Sequence, residues 1–305
     1  MFQGTRSHFR RLTLWTMMTL MMALIVPTTN ACAAQQKVVK SLYTFTSFTN
    51  SSEAQMYVSQ SKDGLNFSKP IGPVYKPPKD LLRDPSIIHH KQDGRYYITY
   101  TTNWTGNTIG IAYSTNLMHW TLLKNITLPS TVLVSWAPEW FIDTDGSVNI
   151  IVNLNSTNKG NANFIPQKIT ALDKSLTIWS NPTPLEGLSP NYIDTFVVKV
   201  GSTYHAFVKN ETKKYIEHAT ATSLTGPYSF GKDTEDWAGW GNNLEGPTVF
   251  QLDNGTWRIF MDGYASHKYY YSDSSDNFQK WTPKAEVPDG LSSVVRHGTV
   301  LKEEV

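Results

Sequence analysis

Five positions along the 305-residue chain place a proton-active side chain just ahead of a pair of apolar residues. They are Asp84 before Ile87-Ile88, Glu139 before Trp140-Phe141, Asp194 before Val197-Val198, Glu245 before Val249-Phe250 and His297 before Val300-Leu301. Successive steps are 55, 55, 51 and 52 residues, a near-constant period that marks a repeated structural unit. Three of the acids stand in distinctive segments: Arg83-Asp84-Pro85-Ser86, Ile193-Asp194-Thr195-Phe196 and Leu244-Glu245-Gly246-Pro247. Carboxylates brought from separate units to one mouth suit cleavage of a glycosidic bond. That reaction needs one carboxylate as base, one carboxylic acid to protonate the leaving oxygen, and a further charge that keeps the acid protonated.

The elements that must position these groups read as short strands. Each unit closes on an aromatic after a Ser/Asp/Asn-rich turn: Ser61 to Phe67, Ser114 to Trp120, Leu172 to Trp179, Thr222 to Phe230 and Asp273 to Trp281. Between start and closure lie β-branched or aromatic runs such as Tyr96 to Thr101, Ile109 to Tyr113, Val148 to Val152, Thr203 to Val208, Trp257 to Met261 and Lys268 to Tyr271. Roughly 50 residues per four-stranded unit is the size of a β-propeller blade, and the chain has room for five. Residues 41–69 supply a closing aromatic without a starting motif, and residues 294–302 a starting motif without a closure. The reading is therefore an all-β, five-bladed β-propeller whose last blade is closed by N-terminal and C-terminal strands, leaving no open sheet edge around the ring. A β-sandwich would need the two matched ladders to be accidental.

The N-terminus reads as an export signal. Arg6, Arg10 and Arg11 precede an apolar run from Leu12 to Val26 and an Ala31-Cys32-Ala33 cleavage site. The run is shorter than the roughly 20 residues a membrane helix needs. Residues 1–33 are thus expected to be a signal peptide, 34–40 a linker and 41–305 the propeller. Cleavage would remove Cys32, the only cysteine, so the mature chain would carry no disulfide. Formal net charge is +2 and the three arginines leave with the signal, so nothing asks for nucleic acid. Seven Asn-x-Ser/Thr sequons, at Asn50, Asn66, Asn103, Asn125, Asn155, Asn210 and Asn254, add to the expectation of a secreted, extracellular glycoprotein. A monomer free of the membrane after cleavage is expected.

Five segments in order, Arg83-Asp84-Pro85, Trp136-Ala137-Pro138-Glu139, Ile193-Asp194-Thr195-Phe196, Glu245-Gly246-Pro247 and Arg296-His297-Gly298-Thr299, resemble glycoside hydrolase family 43, the inverting arabinan- and xylan-active five-bladed propeller enzymes. The resemblance implies Asp84 as general base, Glu245 as general acid and Asp194 as the residue that raises the acid's pKa and orients it. Inversion implies a base–acid separation of about 6.5 to 9.5 Å. Trp136 would offer a flat face to a sugar, and Glu139 would support the wall that carries it. His297 has two readings: a site residue that meets ordered waters or a structural Ca²⁺ ion, or a core histidine that locks ring closure. No cofactor is required. Arg83 and Arg296 could each pair with a catalytic carboxylate or hold a sugar hydroxyl, Arg83 being the better placed beside Asp84. The segment 236–243, dense in Gly and Trp, reads either as a loop over the mouth or as a plug between blades; Asn103-Trp104 and His267 are further loop candidates.

The function expected is a secreted hydrolase of arabinose- or xylose-containing plant cell-wall polysaccharide, first of all an α-L-arabinofuranosidase, with endo-arabinanase and β-xylosidase as alternatives. A non-catalytic carbohydrate-binding propeller is the alternative of another class. The related retaining fructan- and sucrose-cleaving families place their nucleophile in an Asn-Asp-Pro motif and their acid in a Glu-Cys motif; this chain has neither.

Overall fold

The computed structural model of the protein describes residues 40–305 except Asp80, Lys159 and Asn161. The expectations for residues 1–39, including signal cleavage and the loss of Cys32, lie outside the described residues. Within them the chain is all-β. After β1 (Ser41–Thr49), β2 (Ser52–Ser61) and β3 (Ile71–Tyr75), an antiparallel sheet forms from β4 (Arg83–His90), β5 (Arg95–Thr101), β6 (Thr108–Ser114) and β7 (Thr121–Thr127). The next contains β8 (Val134–Ile142), β9 (Val148–Asn155), β10 (Ile165–Thr170) and β11 (Thr183–Pro184). It is followed by β12 (Tyr192–Val200), β13 (Thr203–Asn210) and β14 (Ile216–Ala221), and then by β15 (Glu245–Gln251), β16 (Trp257–Gly263), β17 (Lys268–Ser274) and β18 (Ala285–Glu286). Finally β19 (Val295–Glu304) pairs with β1, from Ser41 opposite Glu304 to Thr49 opposite Val295, giving the order β19-β1-β2-β3.

This is a five-bladed β-propeller, sewn shut by the two ends of the described chain as the two out-of-step ladders require. One blade departs from four strands. Beyond β14 only a single bridge, Thr220 with Ser229, stands where a fourth strand would pair. Pro227 in that segment has no N–H to give a ladder.

Apolar residues on facing sheets fill the space between blades. At the closure, Phe45 of β1 meets Phe260 of β16 edge to face, with ring centroids 6.0 Å apart, and Phe260 meets Phe250 of β15 at 5.3 Å. All three rings are buried, so aromatic packing holds the closing blade to its neighbour.

The aromatic closures are built on one repeated turn. Ser114 Oγ accepts hydrogen bonds from the N–H groups of Asn116 (3.1 Å) and Leu117 (2.9 Å), and Asn116 Oδ1 accepts from those of Met118 and His119. The Trp120 indole then donates to the Leu117 carbonyl. Ser61 and Asp63 repeat the pattern one blade earlier. Ser114→Ala leaves two N–H groups without their acceptor and is expected to lower unfolding free energy by about 1–2 kcal/mol in urea denaturation, with activity unchanged.

Each axial strand carries a bulge at its start. In β4 the register jumps between Arg83 opposite Thr101 and Ser86 opposite Thr99, so two residues face one. The same jump falls after Trp136 in β8, after Ile193 in β12 and after Glu245 in β15. In these four strands the first bulged residue has positive φ: Asp84 (53°), Ala137 (47°), Asp194 (53°) and Gly246 (56°). These are the structurally equivalent positions. Asp84 and Asp194 occupy them, whereas Glu245 lies one residue before and Glu139 two residues after.

Candidate active site

The bulges turn side chains from five strands, β4, β8, β12, β15 and β19, into one cavity of about 300 Å³ at the axis. Asp84, Asp194, Glu245, Arg83, Arg296, Trp136 and His297 all line it, so every expected site residue except the supporting Glu139 reaches the same space. Asp84 is buried; its Oδ2 accepts from Thr101 Oγ1 at 2.8 Å, and its Oδ1 lies 3.2 Å from His297 Nδ1 and 4.0 Å from Arg83 Nε. Burial alone would raise its pKa. The charge and hydrogen bond of His297, with Arg83 and Thr101, outweigh burial and hold the carboxyl well below its ordinary range.

Asp194 behaves oppositely. Its Oδ2 accepts from the Gly246 N–H at 3.1 Å, which ties it to the peptide joined to Glu245. Burial, with the negative charges of Glu245 and Asp84, pushes its pKa up to about 6 against the pull of His297 and Lys209. Glu245 lies between two cations, Lys209 Nζ at 2.7 Å from Oε2 and Arg296 Nη2 at 3.4 Å from Oε1.

His297 sits at the centre. Its Nδ1 faces Asp84 and, at 3.9 Å, Asp194 Oδ2; its Nε2 faces Glu139 Oε1, also at 3.9 Å. Burial disfavours the imidazolium, but the surrounding carboxylates outweigh it and raise the pKa to about 10.

Several groups at the site were not singled out in the sequence. Lys209, buried between Glu245 and Glu211, is held protonated by both together with Asp194. Asp262 is fully buried, and its Oδ2 accepts from Arg296 Nε (2.7 Å) and the His297 N–H (2.9 Å); burial and the charge of Glu245 push its pKa up to about 6. A signal was present: Thr101, Asn153, Lys209 and Asp262 lie opposite Arg83, Trp136, Ile193 and Glu245 on the second strands. They form a third polar ladder with steps of 52, 56 and 53 residues.

One supporting role differs from expectation. The Trp136 and Ala137 carbonyls accept from Asn153 Nδ2, while Glu139 turns to Thr299 Oγ1 (2.9 Å) and His297, so Asn153 and not Glu139 carries the wall. Trp136 stacks on Phe164 at 4.8 Å and donates its indole N–H to the Trp104 carbonyl. The more exposed aromatic is Trp104, 48% accessible, with the Arg83 guanidinium 4.1 Å from its ring centroid. In segment 236–243, Trp240 is buried against Trp237 and Trp281; the plug reading holds, and no residue of the segment lines the cavity.

A family model described as "Probable glycosyl hydrolase domain", that of the family 43-related glycosyl hydrolases, matches residues 40–303. The chain belongs to this family. No curated protein resembles it closely enough to count as a match. Among solved structures, a family 43 β-1,3-galactosidase superposes with TM-score 0.66 at 18% identity, over 81% of this chain and 57% of that one. An exo-β-1,3-galactanase from Clostridium thermocellum gives 0.63 at 12%, over 84% and 62%. An endo-arabinase from Bacteroides thetaiotaomicron gives 0.57 at 16%, over 81% and 89%. The chain thus spans less than two thirds of the length of the first and second of these. At such identities the likeness establishes the shared fold.

The family resemblance raised a Ca²⁺ ion near His297. Among the described residues no three His, Cys, Asp or Glu side chains are grouped to hold a metal.

Proposed function

We propose that this glycosidase hydrolyses arabinose- or xylose-containing plant cell-wall polysaccharide with inversion of configuration, acting first of all as an α-L-arabinofuranosidase. In this reading Asp84 is the base, Glu245 the acid, and Asp194 orients the acid through the Gly246 N–H. The observation that carries it is three acids from three blades lining one cavity, with Asp84 beside His297 Nδ1 and Arg83 and Asp194 on the Gly246 N–H next to Glu245. An ionised Asp84 can take a proton from water. The proton for the leaving oxygen comes from Glu245, whose carboxyl lies 2.7 Å from Lys209 Nζ and 3.4 Å from Arg296 Nη2. Asp194 and Asp262 are both raised to about 6, so the site loses protons as pH climbs past that value and turnover is expected to fall there.

Endo-arabinanase and β-xylosidase are the alternatives, and the names of two similar structures add β-1,3-galactan to the substrates worth testing. Proton NMR of the first anomer released from arabinan, arabinoxylan, β-1,3-galactan and aryl glycosides reports substrate and stereochemistry together. Inverted arabinose is expected; a retained anomer overturns the mechanism, and binding without release of any sugar favours a carbohydrate-binding propeller.

Export and glycosylation belong to the same proposal, supported by residues 1–33 and the sequons. Asn155 and Asn210 are buried with their amides donating inside the fold, so glycans are expected only among the other five sites. Peptide mass spectrometry of secreted protein tests both.

A further inference from the structure

We infer that Trp104 is a substrate-binding residue, a platform at the rim of the cavity on which a second sugar ring stacks beside the one held inside. This names a further contact of the proposed hydrolase site and rests on that reading for its turnover test alone. A cavity of about 300 Å³ is at the small end of ligand sites, which run from about 300 to 1,000 Å³, so it takes little more than one sugar and leaves the rest of a polysaccharide at the mouth. Trp104 reaches that mouth from the loop between β5 and β6, lining the cavity while staying 48% accessible. Among the described residues no other tryptophan is exposed. Tyr264, another aromatic of the lining, is engaged: Lys209 Nζ lies 4.6 Å from its ring centroid, and its hydroxyl donates to Asn243.

The Trp104 ring is held in place before any sugar arrives. The Arg83 guanidinium covers one face, 4.1 Å from the ring centroid, and is itself pinned between Glu53, 3.6 Å away, and the ring of Phe48. Trp136 meets the indole edge-on, with centroids 6.1 Å apart and an interplanar angle of 84°, and donates its own N–H to the Trp104 carbonyl. Two more bonds tie the loop to the next blade, from the Gly106 N–H to the Leu133 carbonyl (2.7 Å) and from Ser135 Oγ to the Gly106 carbonyl (3.1 Å). The face turned away from Arg83 is therefore open and fixed in angle, so laying the C–H face of a sugar on it costs little side-chain entropy. Glu53, whose side chain is 42% accessible and also lines the cavity, can accept hydroxyls of the same sugar. The sequon residue Asn103 lines a separate depression with Pro77 and Pro78, so a glycan there starts outside the cavity.

Affinity electrophoresis through gels containing arabinan, arabinoxylan or β-1,3-galactan tests the platform without turnover. The unsubstituted protein should be retarded by at least one of them. Trp104→Ala, which keeps the backbone carbonyl that Trp136 needs, should bind that polymer at least about fivefold more weakly, and Trp104→Phe, which keeps a ring, should fall between the two. In turnover, the ratio of kcat/KM on an oligosaccharide of that polymer to kcat/KM on the matching aryl glycoside should drop at least about tenfold in Trp104→Ala. Equal retardation of the unsubstituted and Trp104→Ala proteins, or no retardation of the unsubstituted protein by any of the three polymers, overturns the inference. So does an equal loss on both substrates, which would mean that the ring acts only through Arg83. Retardation that depends on Trp104, with no sugar released from any substrate, supports the platform and removes the hydrolase reading.

Discussion

Asp84→Asn is expected to lower kcat by roughly 10²–10⁴-fold on the best substrate, with the fold and KM little changed. The amide keeps the size of the carboxyl and can still accept from Thr101 Oγ1, so the bulge that presents it should persist. What it loses is the capacity to take a proton from water. Azide needs no base, so adding it should restore turnover and yield the glycosyl azide of inverted configuration. That rescue is decisive because Asp84→Asn also removes the nearest counter-charge of His297, 3.2 Å away. If the deficit came from a displaced or neutral ring rather than a missing base, azide would not repair it. Near-normal turnover without azide would remove Asp84 from the base role.

How legible the molecule was depended on whether a residue's role followed from period or from local geometry. The repeat of about 50 residues gave the blade count, and the odd ends of the two ladders gave the seam between β1 and β19. Strand limits fell within a few residues because alternation and Gly or Asp/Asn turns are local properties. The site was only half visible. Aligning Glu139 with Asp84 was natural in one dimension, but the bulges make Ala137 the equivalent residue, and the two-residue offset sends Glu139 beneath the cavity instead of into it. Lys209 and Asp262 were legible only to a reader who searched the second strands, since a Lys or an Asp ending a strand is ordinary until its cross-strand partner is known. Trp240 shows the same limit from the other side: a Gly/Trp-rich segment before an acid suggests substrate contact, while the buried ring packs against Trp281.

Gly246→Ala is expected to be the most damaging substitution that removes no functional group. A Cβ there would lie 2.4 Å from Cγ and 2.5 Å from Cδ2 of His297, at a φ of +56°. The ring cannot retreat. It is 2% accessible, and its two nitrogens face Asp84 and Glu139 while the His297 backbone N–H is tied to Asp262. The backbone must therefore move, carrying with it Glu245 and the N–H that Asp194 Oδ2 accepts. Shifts of about 1 Å at a catalytic group cost on the order of 10²-fold, so kcat should fall at least that far. Unfolding free energy should drop by about 2–4 kcal/mol, from the left-handed φ and the clash together. Gly94→Ala provides the control, because Gly94 has a φ of +69° with nothing within 4 Å of its added Cβ. It should lose only about 1–2 kcal/mol in urea denaturation, with kcat unchanged. If both variants lost the same stability and both kept their activity, the close packing of His297 on Gly246 would have no part in placing the acid. A difference confined to Gly246→Ala would instead mean that one methyl group reaches the chemistry through the ring that all the axial carboxylates share.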